Sequence, residues 1–231
     1  MIKYDKDRLL NNIDFLLEKN NIKKGELEQF IEVSPGYLSR IKASDNVDAS
    51  PNIDKLSLIA GKLNCSIISL LFCDYASLTE TEIYLVNSLE SIIDKTNNDQ
   101  VVWCKLSPSS FLHSEFPLCF KKENMFLKFD FDEYAFKSSF LGKTVDVVDN
   151  VYYSKNKSDT IYIIPVREED ETQYEIYINS KGEVAKIING SSESKSGILK
   201  ILKTLYDVAV FSSKKVRIDE SVRQMLGGFS N

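Results

Sequence analysis

The chain has 231 residues, with 29 Lys and Arg against 34 Asp and Glu, for a formal net charge of −5. With 43% hydrophobic residues, nine glycines and five prolines, its composition excludes a disordered chain and fits two globular domains. No apolar run reaches the roughly 20 residues of a membrane helix, and the first residues lack an apolar signal core, which predicts a cytoplasmic protein that binds no membrane. The four cysteines form no CxxC pair and favour free thiols in a reducing compartment.

Residues 1–75 are predicted to form five short helices. The first places apolar residues at helical spacing from Leu9 to Leu17, and the second covers about 24–31. The third is expected to begin at Ser34 as the N-cap, and the fourth at Ser50 and Pro51. The fifth covers 67–72. The predicted inward positions of the second and fourth helices are Leu27, Phe30, Ile31, Ile53, Leu56, Ile59, Ala60 and Leu63.

The connection between the second and third helices is predicted to be very short. Only Glu32, Val33 and Ser34 separate them, so the two helices must cross steeply, as in a helix-turn-helix. Val33 is expected to fill the angle, and the outer face of the third helix is left with polar and basic residues.

The first third of the chain resembles a known family of DNA-binding domains. The stretches LEQFIEVS (27–34) and YLSRI (37–41), followed by Leu56, Leu63 and Leu70, are similar to the Cro and lambda-repressor (Xre-type) helix-turn-helix regulators. Three features differ from the family pattern: Glu28 replaces a small residue, Glu32 replaces a frequent glycine, and the loop 43–49 is acidic. The resemblance implies a DNA-binding domain over 1–75 that acts as a dimer.

Candidate DNA contacts follow from the expected geometry. A helix fits the major groove with its N-terminal residues near base edges, and Arg40 is the best candidate for bidentate contact to guanine. Lys23 and Lys24 begin the preceding helix, where charge and backbone N–H groups favour a phosphate. The full predicted set is Lys23, Lys24, Ser34, Gly36, Tyr37, Ser39, Arg40, Lys42 and Ser44. The alternative is that Tyr37 and Arg40 are ordinary exposed residues.

Residues 76–231 are predicted to form an α+β domain for dimerisation and regulation. Thr79 and Glu82 have capping-box spacing and open a helix to about residue 94. Beyond this helix apolar residues recur at every second position, which predicts an antiparallel sheet. The predicted strands cover 125–131, 145–153, 160–166, 173–178 and 183–188, with 101–105 as a further candidate. A helix over 194–211 and a short helix over 219–226 are expected to follow. The fold class is therefore α+β.

The sequence carries little that suggests catalysis. The single histidine, His113, lies in a Ser-rich loop without Cys or a second His at ligand spacing, and no phosphate-binding glycine pattern occurs. The acidic stretches at Asp130 to Glu133 and at Glu168 to Glu171 are interpreted as solvated. We therefore expect no enzyme activity, no cofactor and no metal.

Two functions remain open at this level. The first is a sequence-specific transcriptional regulator, a phage-type or mobile-element repressor that binds operator DNA as a homodimer through its C-terminal domain. The only Ala-Gly pair, Ala60 and Gly61, lies inside a helix, so self-cleavage of the kind that the family uses is disfavoured. Release from DNA would then need an inducer or an antirepressor protein. The alternative is a protein-interaction module, an inhibitor or antitoxin, because residues 1–75 hold ten basic and eleven acidic residues.

Overall fold

The computed structural model describes residues 5–46, 49–105, 125–130, 133–140, 143–146, 151–168, 171–181, 183–187 and 196–228. The chain forms two compact units, residues 1–91 with 191–201, and residues 92–190 with 202–231. The first unit is helical, and the second contains an antiparallel sheet with helical segments. The predicted α+β class is confirmed, and the first unit contains all of the predicted 1–75 domain.

Five short helices, the start of a sixth and residues 196–201 of the last helix lie in the first unit. The bounds of the first six helices are α1 Lys6–Lys19, α2 Lys24–Phe30, α3 Tyr37–Ala43, α4 Ile53–Leu63, α5 Ile67–Phe72 and α6 Glu80–Asn97. The Asp5 side chain caps α1 by accepting the Arg8 N–H at 3.0 Å. The apolar positions of α1 from Leu9 to Leu17 that the sequence predicts are buried, with Leu27, Ile31, Leu38 and Leu70.

A buried asparagine joins α1 to the end of α5. The Asn12 amide donates to the Leu70 carbonyl at 2.8 Å and the Cys73 carbonyl at 2.6 Å, and its oxygen accepts the Tyr75 N–H at 3.1 Å. The Leu70 and Cys73 carbonyls lie at the C-terminal end of α5, where carbonyl groups have no partner within the helix. Asn12 therefore holds α1 against the C-terminal end of α5 and the residues that follow it.

Two helices begin later than predicted. Helix α3 starts at Tyr37 after Gly36, whose φ of 76° is left-handed, so Ser34 and Pro35 lie in the preceding turn. Helix α4 starts at Ile53, because the Asn52 side chain accepts the Lys55 N–H at 2.9 Å and caps the helix there. In both places the N-cap is the residue that directly follows the Ser-Pro pair that the sequence suggested.

Two apolar residues that were predicted to face inward are exposed. Phe30 is 48% exposed and Ile53 is 64% exposed. Phe30 is the last residue of α2, and the Lys62 ammonium lies 5.0 Å from its ring centroid. Ile53 is the first residue of α4, and the inward stripe of that helix begins at Leu56 instead. Half-buried Val33 does not fill the inter-helix angle as fully as expected.

The predicted capping box of α6 is confirmed. The Glu82 carboxylate accepts the Thr79 N–H at 2.9 Å, and the Thr79 hydroxyl accepts the Glu82 N–H at 3.3 Å. Ile83, Val86 and Leu89 are buried, as their spacing predicts. The boundary between the two units falls within this helix, between Ser91 and Ile92.

Eight antiparallel strands make up the sheet in the described part of the second unit. Their bounds are β1 Cys104–Lys105, β2 Met125–Asp130, β3 Glu133–Phe140, β4 Lys143–Asp146, β5 Tyr152–Asn156, β6 Asp159–Glu168, β7 Glu171–Ser180 and β8 Glu183–Lys186. Strand β6 is central: β7 pairs along its whole length on one edge, and β5 and β4 share the other edge. The predicted antiparallel sheet is confirmed.

The strand predictions were wrong in three places. The single strand expected over 145–153 is two strands, because β4 and β5 pair with different ends of β6. Strand β3 was not predicted, because its apolar and polar residues alternate only weakly. It pairs with β2 on one side and with β4 on the other. The candidate strand over 101–105 is confined to its last two residues, which pair with Tyr152 and Tyr153.

The last helix is continuous, which corrects the prediction of two helices. Helix α7 covers Ser196–Gly228, because residues 212–218 contain no glycine or proline that would end it. Within the second unit, the Tyr206 ring lies 5.5 Å from the Tyr152 ring and 4.8 Å from the Tyr174 ring. Leu202, Leu205 and Ala209 of α7 are buried, as are Ile163 and Ile176 of the sheet.

Candidate nucleic-acid interface

A buried glutamate fastens α2 to the start of α3. Glu28 is only 4% exposed, and its carboxylate accepts the Gly36 N–H at 2.7 Å and the Leu38 N–H at 3.0 Å. Backbone N–H groups at the start of a helix have no partner within the helix, so an anion is favoured there. Glu28, one of the departures from the family pattern, therefore supplies the tie between the two helices.

The turn between these helices contains two left-handed residues. Glu32 has φ of 55° and Gly36 has φ of 76°. Glycine adopts this conformation without cost, whereas a residue with a Cβ atom is strained in it. The Glu32 position therefore favours glycine, and the glutamate that occupies it is strained. An alanine Cβ at Gly36 would also lie 3.3 Å from the Arg40 guanidinium.

The Arg40 guanidinium folds back over the turn. It donates to the Pro35 carbonyl at 2.8 Å and to the Ser34 hydroxyl. Two of its five N–H donors are used in this way, and three remain. The Arg40 side chain as a whole is exposed. Ser34 is thereby a support for Arg40 rather than the cap of α3, the role that the sequence suggested.

Two of the predicted phosphate contacts share one carboxylate. Asp14 accepts from the Lys24 ammonium at 3.0 Å and the Lys42 ammonium at 3.1 Å, which brings together lysines from α2 and α3. Burial raises the pKa of Asp14, but the hydrogen bonds and charges of Lys24 and Lys42 outweigh it and hold the pKa below its usual value of 3.8. The two lysines lie close together and are partly neutralised.

The other predicted contacts surround this pair. Tyr37 is half-buried at the start of α3, and Ser39 is exposed. Lys23 is exposed and makes no side-chain hydrogen bond or ion pair with the described residues. Ser44 follows the end of α3, where its carbonyl accepts from Lys6 at 2.6 Å and its hydroxyl accepts the Asn46 N–H at 3.2 Å. All nine predicted residues lie between Lys23, the N-cap of α2, and Ser44, the C-cap of α3.

The structure identifies two residues that sequence reasoning missed. Asp14 lies on α1, far in sequence from Lys42, and nothing in its spacing predicts that it joins two lysines. Glu28 was noted only as a departure from a family pattern. Glu28 lies on the same side of α2 as the buried residues Leu27 and Ile31. A carboxylate at a buried position requires hydrogen-bond partners, so its place in the apolar pattern could have predicted this contact.

The described residues offer no site for a metal ion: no group of three or more His, Cys, Asp or Glu is arranged for one. Cys65 and Cys73 are free thiols. Burial and the nearby Glu90 charge raise the pKa of Cys65 and of Cys73 to about 12, which leaves both thiols protonated. His113, Cys119, Asp48 and the tip of the acidic hairpin at 169–170 lie outside the described residues.

Comparisons with known proteins add no relationship to these observations. The chain matches no protein-family model, no curated protein and no solved structure. In the part of the chain that the structure describes, no helix has both the length and the apolar character that a membrane span requires.

Proposed function

We propose that this chain is a sequence-specific DNA-binding transcriptional regulator, of the phage or mobile-element repressor type, that acts as a homodimer. The observation that carries the proposal is the outer side of α3, where Ser39 and Arg40 are exposed and Tyr37 is half-buried, after a turn held by the Glu28 carboxylate. A helix presented in this way fits the major groove, where the free donors of an arginine pair with guanine O6 and N7.

Phosphate contacts have a separate basis. Lys24 and Lys42 meet at Asp14, and Lys23 lies exposed at the start of α2. Phosphates that approach this group would replace Asp14 as the partner of both ammonium groups, and they would release counterions as they bind. Because the net charge of the chain is −5, binding depends on this local group of cations rather than on the general field.

Two variants separate the proposed roles. Arg40→Ala is expected to lose about 1–3 kcal/mol of discrimination between the bound sequence and unrelated DNA. Lys24→Ala is expected to weaken all sequences alike and to reduce the log–log salt slope by about one unit. Fluorescence anisotropy with bound and scrambled duplexes at several salt concentrations measures both quantities. Equal, small effects of the two substitutions would contradict the assigned roles.

A second candidate function has its own support. Asp14 partly neutralises Lys24 and Lys42, and residues 1–75 hold ten basic and eleven acidic residues, which favours a protein-interaction module such as an inhibitor or antitoxin. Such a module would show neither a preferred DNA sequence nor salt-dependent binding to DNA. The anisotropy series above therefore discriminates between the two functions.

The proposed regulator needs no enzyme activity and no cofactor. Its release from DNA would depend on an inducer or an antirepressor protein, and its place of action would be the cytoplasm, where such operators are bound. Dimerisation would pair two DNA-binding domains on half-sites about 10 bp apart, or a multiple of that distance.

A further inference from the structure

The two halves of α7 present apolar residues on opposite sides. In the first half, Leu202, Leu205, Tyr206 and Ala209 are buried in the second unit. Phe211, two residues after Ala209, points to the other side of the helix and is 72% exposed. Val222 is 47% exposed and follows Phe211 by eleven residues, which is about three turns, so both lie on one face.

The sequence extends this exposed face into a regular pattern. Phe211, Lys215, Ile218, Val222 and Met225 are spaced by four, three, four and three residues. This alternation is the a and d spacing of a coiled-coil seam. The helical positions that would continue the buried side, 216, 220 and 223, hold Val, Glu and Arg. The distal half of α7 is therefore not patterned to pack on its own unit as the first half does.

We propose that residues 211–225 of α7 form a seam that pairs in parallel with the same helix of a second copy of this chain. In a parallel pair, a residue at position g approaches a residue five positions later, at e, on the other helix. Lys214 and Asp219 occupy these two positions, so each copy offers a cation where the other offers an anion. This charge complementarity recurs on both sides of the two-fold axis and favours a second copy as the occupant.

The lysine within the seam fits this arrangement. Lys215 lies at an a position, and its ammonium is 2.5 Å from the carboxylate of Asp99 in its own chain. A lysine at a single a position fixes the register of a coiled coil at some cost in stability. The Asp99 carboxylate offsets the charge that two Lys215 side chains would otherwise bring together.

The inference deepens the proposed homodimer and rests on it, whereas it does not depend on DNA binding. The test is sedimentation equilibrium of the full chain at concentrations from about 1 to 100 μM, a range that brackets a micromolar dimer. Phe211→Ser with Val222→Ser is expected to raise the dimer dissociation constant by more than about tenfold. Tyr84→Ser removes an equally exposed aromatic side chain (75% exposed) from α6 and is expected to leave it unchanged.

Charge exchange tests the parallel register. Lys214→Glu alone is expected to weaken the dimer, and Lys214→Glu with Asp219→Lys is expected to restore it, because the attraction returns with exchanged signs. Lys214 is an exposed residue of α7, and circular dichroism verifies that both variants remain folded. A dimer that survives the Phe211 and Val222 substitutions would overturn the seam while leaving the homodimer in place. A wild-type chain that stays monomeric would overturn both, and anisotropy with operator DNA on the same sample would still report DNA binding.

Discussion

At the residue scale, single polar side chains decide how the turn before α3 is built. Glu28 and Arg40 form hydrogen bonds with backbone groups of the turn, and Glu32 has a left-handed φ. The spacing of apolar residues predicts none of these features. The sequence indicated which apolar residues of α1 are buried, because hydrophobic spacing on a helix determines that directly. It did not predict the partners of the polar residues, since those partners come from other elements.

Replacement of Glu32 by glycine is expected to stabilise the protein. The left-handed φ of 55° strains a residue with a Cβ atom by about 1–2 kcal/mol, and glycine would remove this strain. Part of the stabilisation is lost because glycine also has more conformational freedom in the unfolded chain. We expect Glu32→Gly to raise the free energy of unfolding by about 0.5–1 kcal/mol in urea denaturation. Gln29→Gly, at an exposed helical position of α2, is the matched control and should destabilise by about 1 kcal/mol.

The ion pairs of Asp14 predict a pH dependence of stability. Because the folded-state pKa of Asp14 is lowered, its contribution is present above the unfolded value of 3.8 and is lost as the pH falls through the folded pKa. The three side chains are between 33% and 49% exposed, so solvent screening limits the contribution to about 1 kcal/mol or less. Asp14→Asn should therefore be less stable than wild type at pH 6, and the difference should disappear as the pH falls through the folded-state pKa of Asp14, below 3.8. A difference that persists at low pH would contradict the role of these ion pairs.

At the element scale, the presence of each helix in the first unit was predicted better than the residue at which it begins. The capping box at Thr79 and Glu82 is a local signal and was recognised correctly. The starts of α3 and α4 depended on Gly36 and Asn52, which compete with nearby Ser-Pro pairs that look equally suitable in sequence. Strands β4 and β5 were merged, because only long-range pairing with β6 separates them.

The tie between α2 and α3 yields a prediction on both stability and binding. Glu28→Gln keeps the side-chain size but puts an NH₂ group against one of the two backbone N–H donors, at a cost of about 1–3 kcal/mol in the free energy of unfolding. Because α3 loses part of its anchor, DNA affinity should fall in the same variant at a temperature where it is still folded. Glu26→Gln, an exposed change on the same helix, should alter neither property.

At the scale of the whole molecule, the sequence predicts the structures of the two units from different kinds of pattern. The helical unit follows from periodicity, and its candidate surface follows from a resemblance that covers under a third of the chain. The sheet unit follows from alternation, but its strand order rests on pairings distant in sequence, such as that of Asp146 with Arg167. The continuity of α7 and the reversal of its apolar face were missed because two shorter helices explain the same residues.

Selection of bound fragments from random duplex DNA tests the central claim most directly. The full chain at near-physiological salt should enrich one motif with two half-sites related by two-fold symmetry, about 10 bp apart or a multiple of that distance. Binding to that motif should fall with salt at a log–log slope of several units. Fragments that show no enriched motif, with a slope near zero, would contradict the account and favour the protein-interaction module.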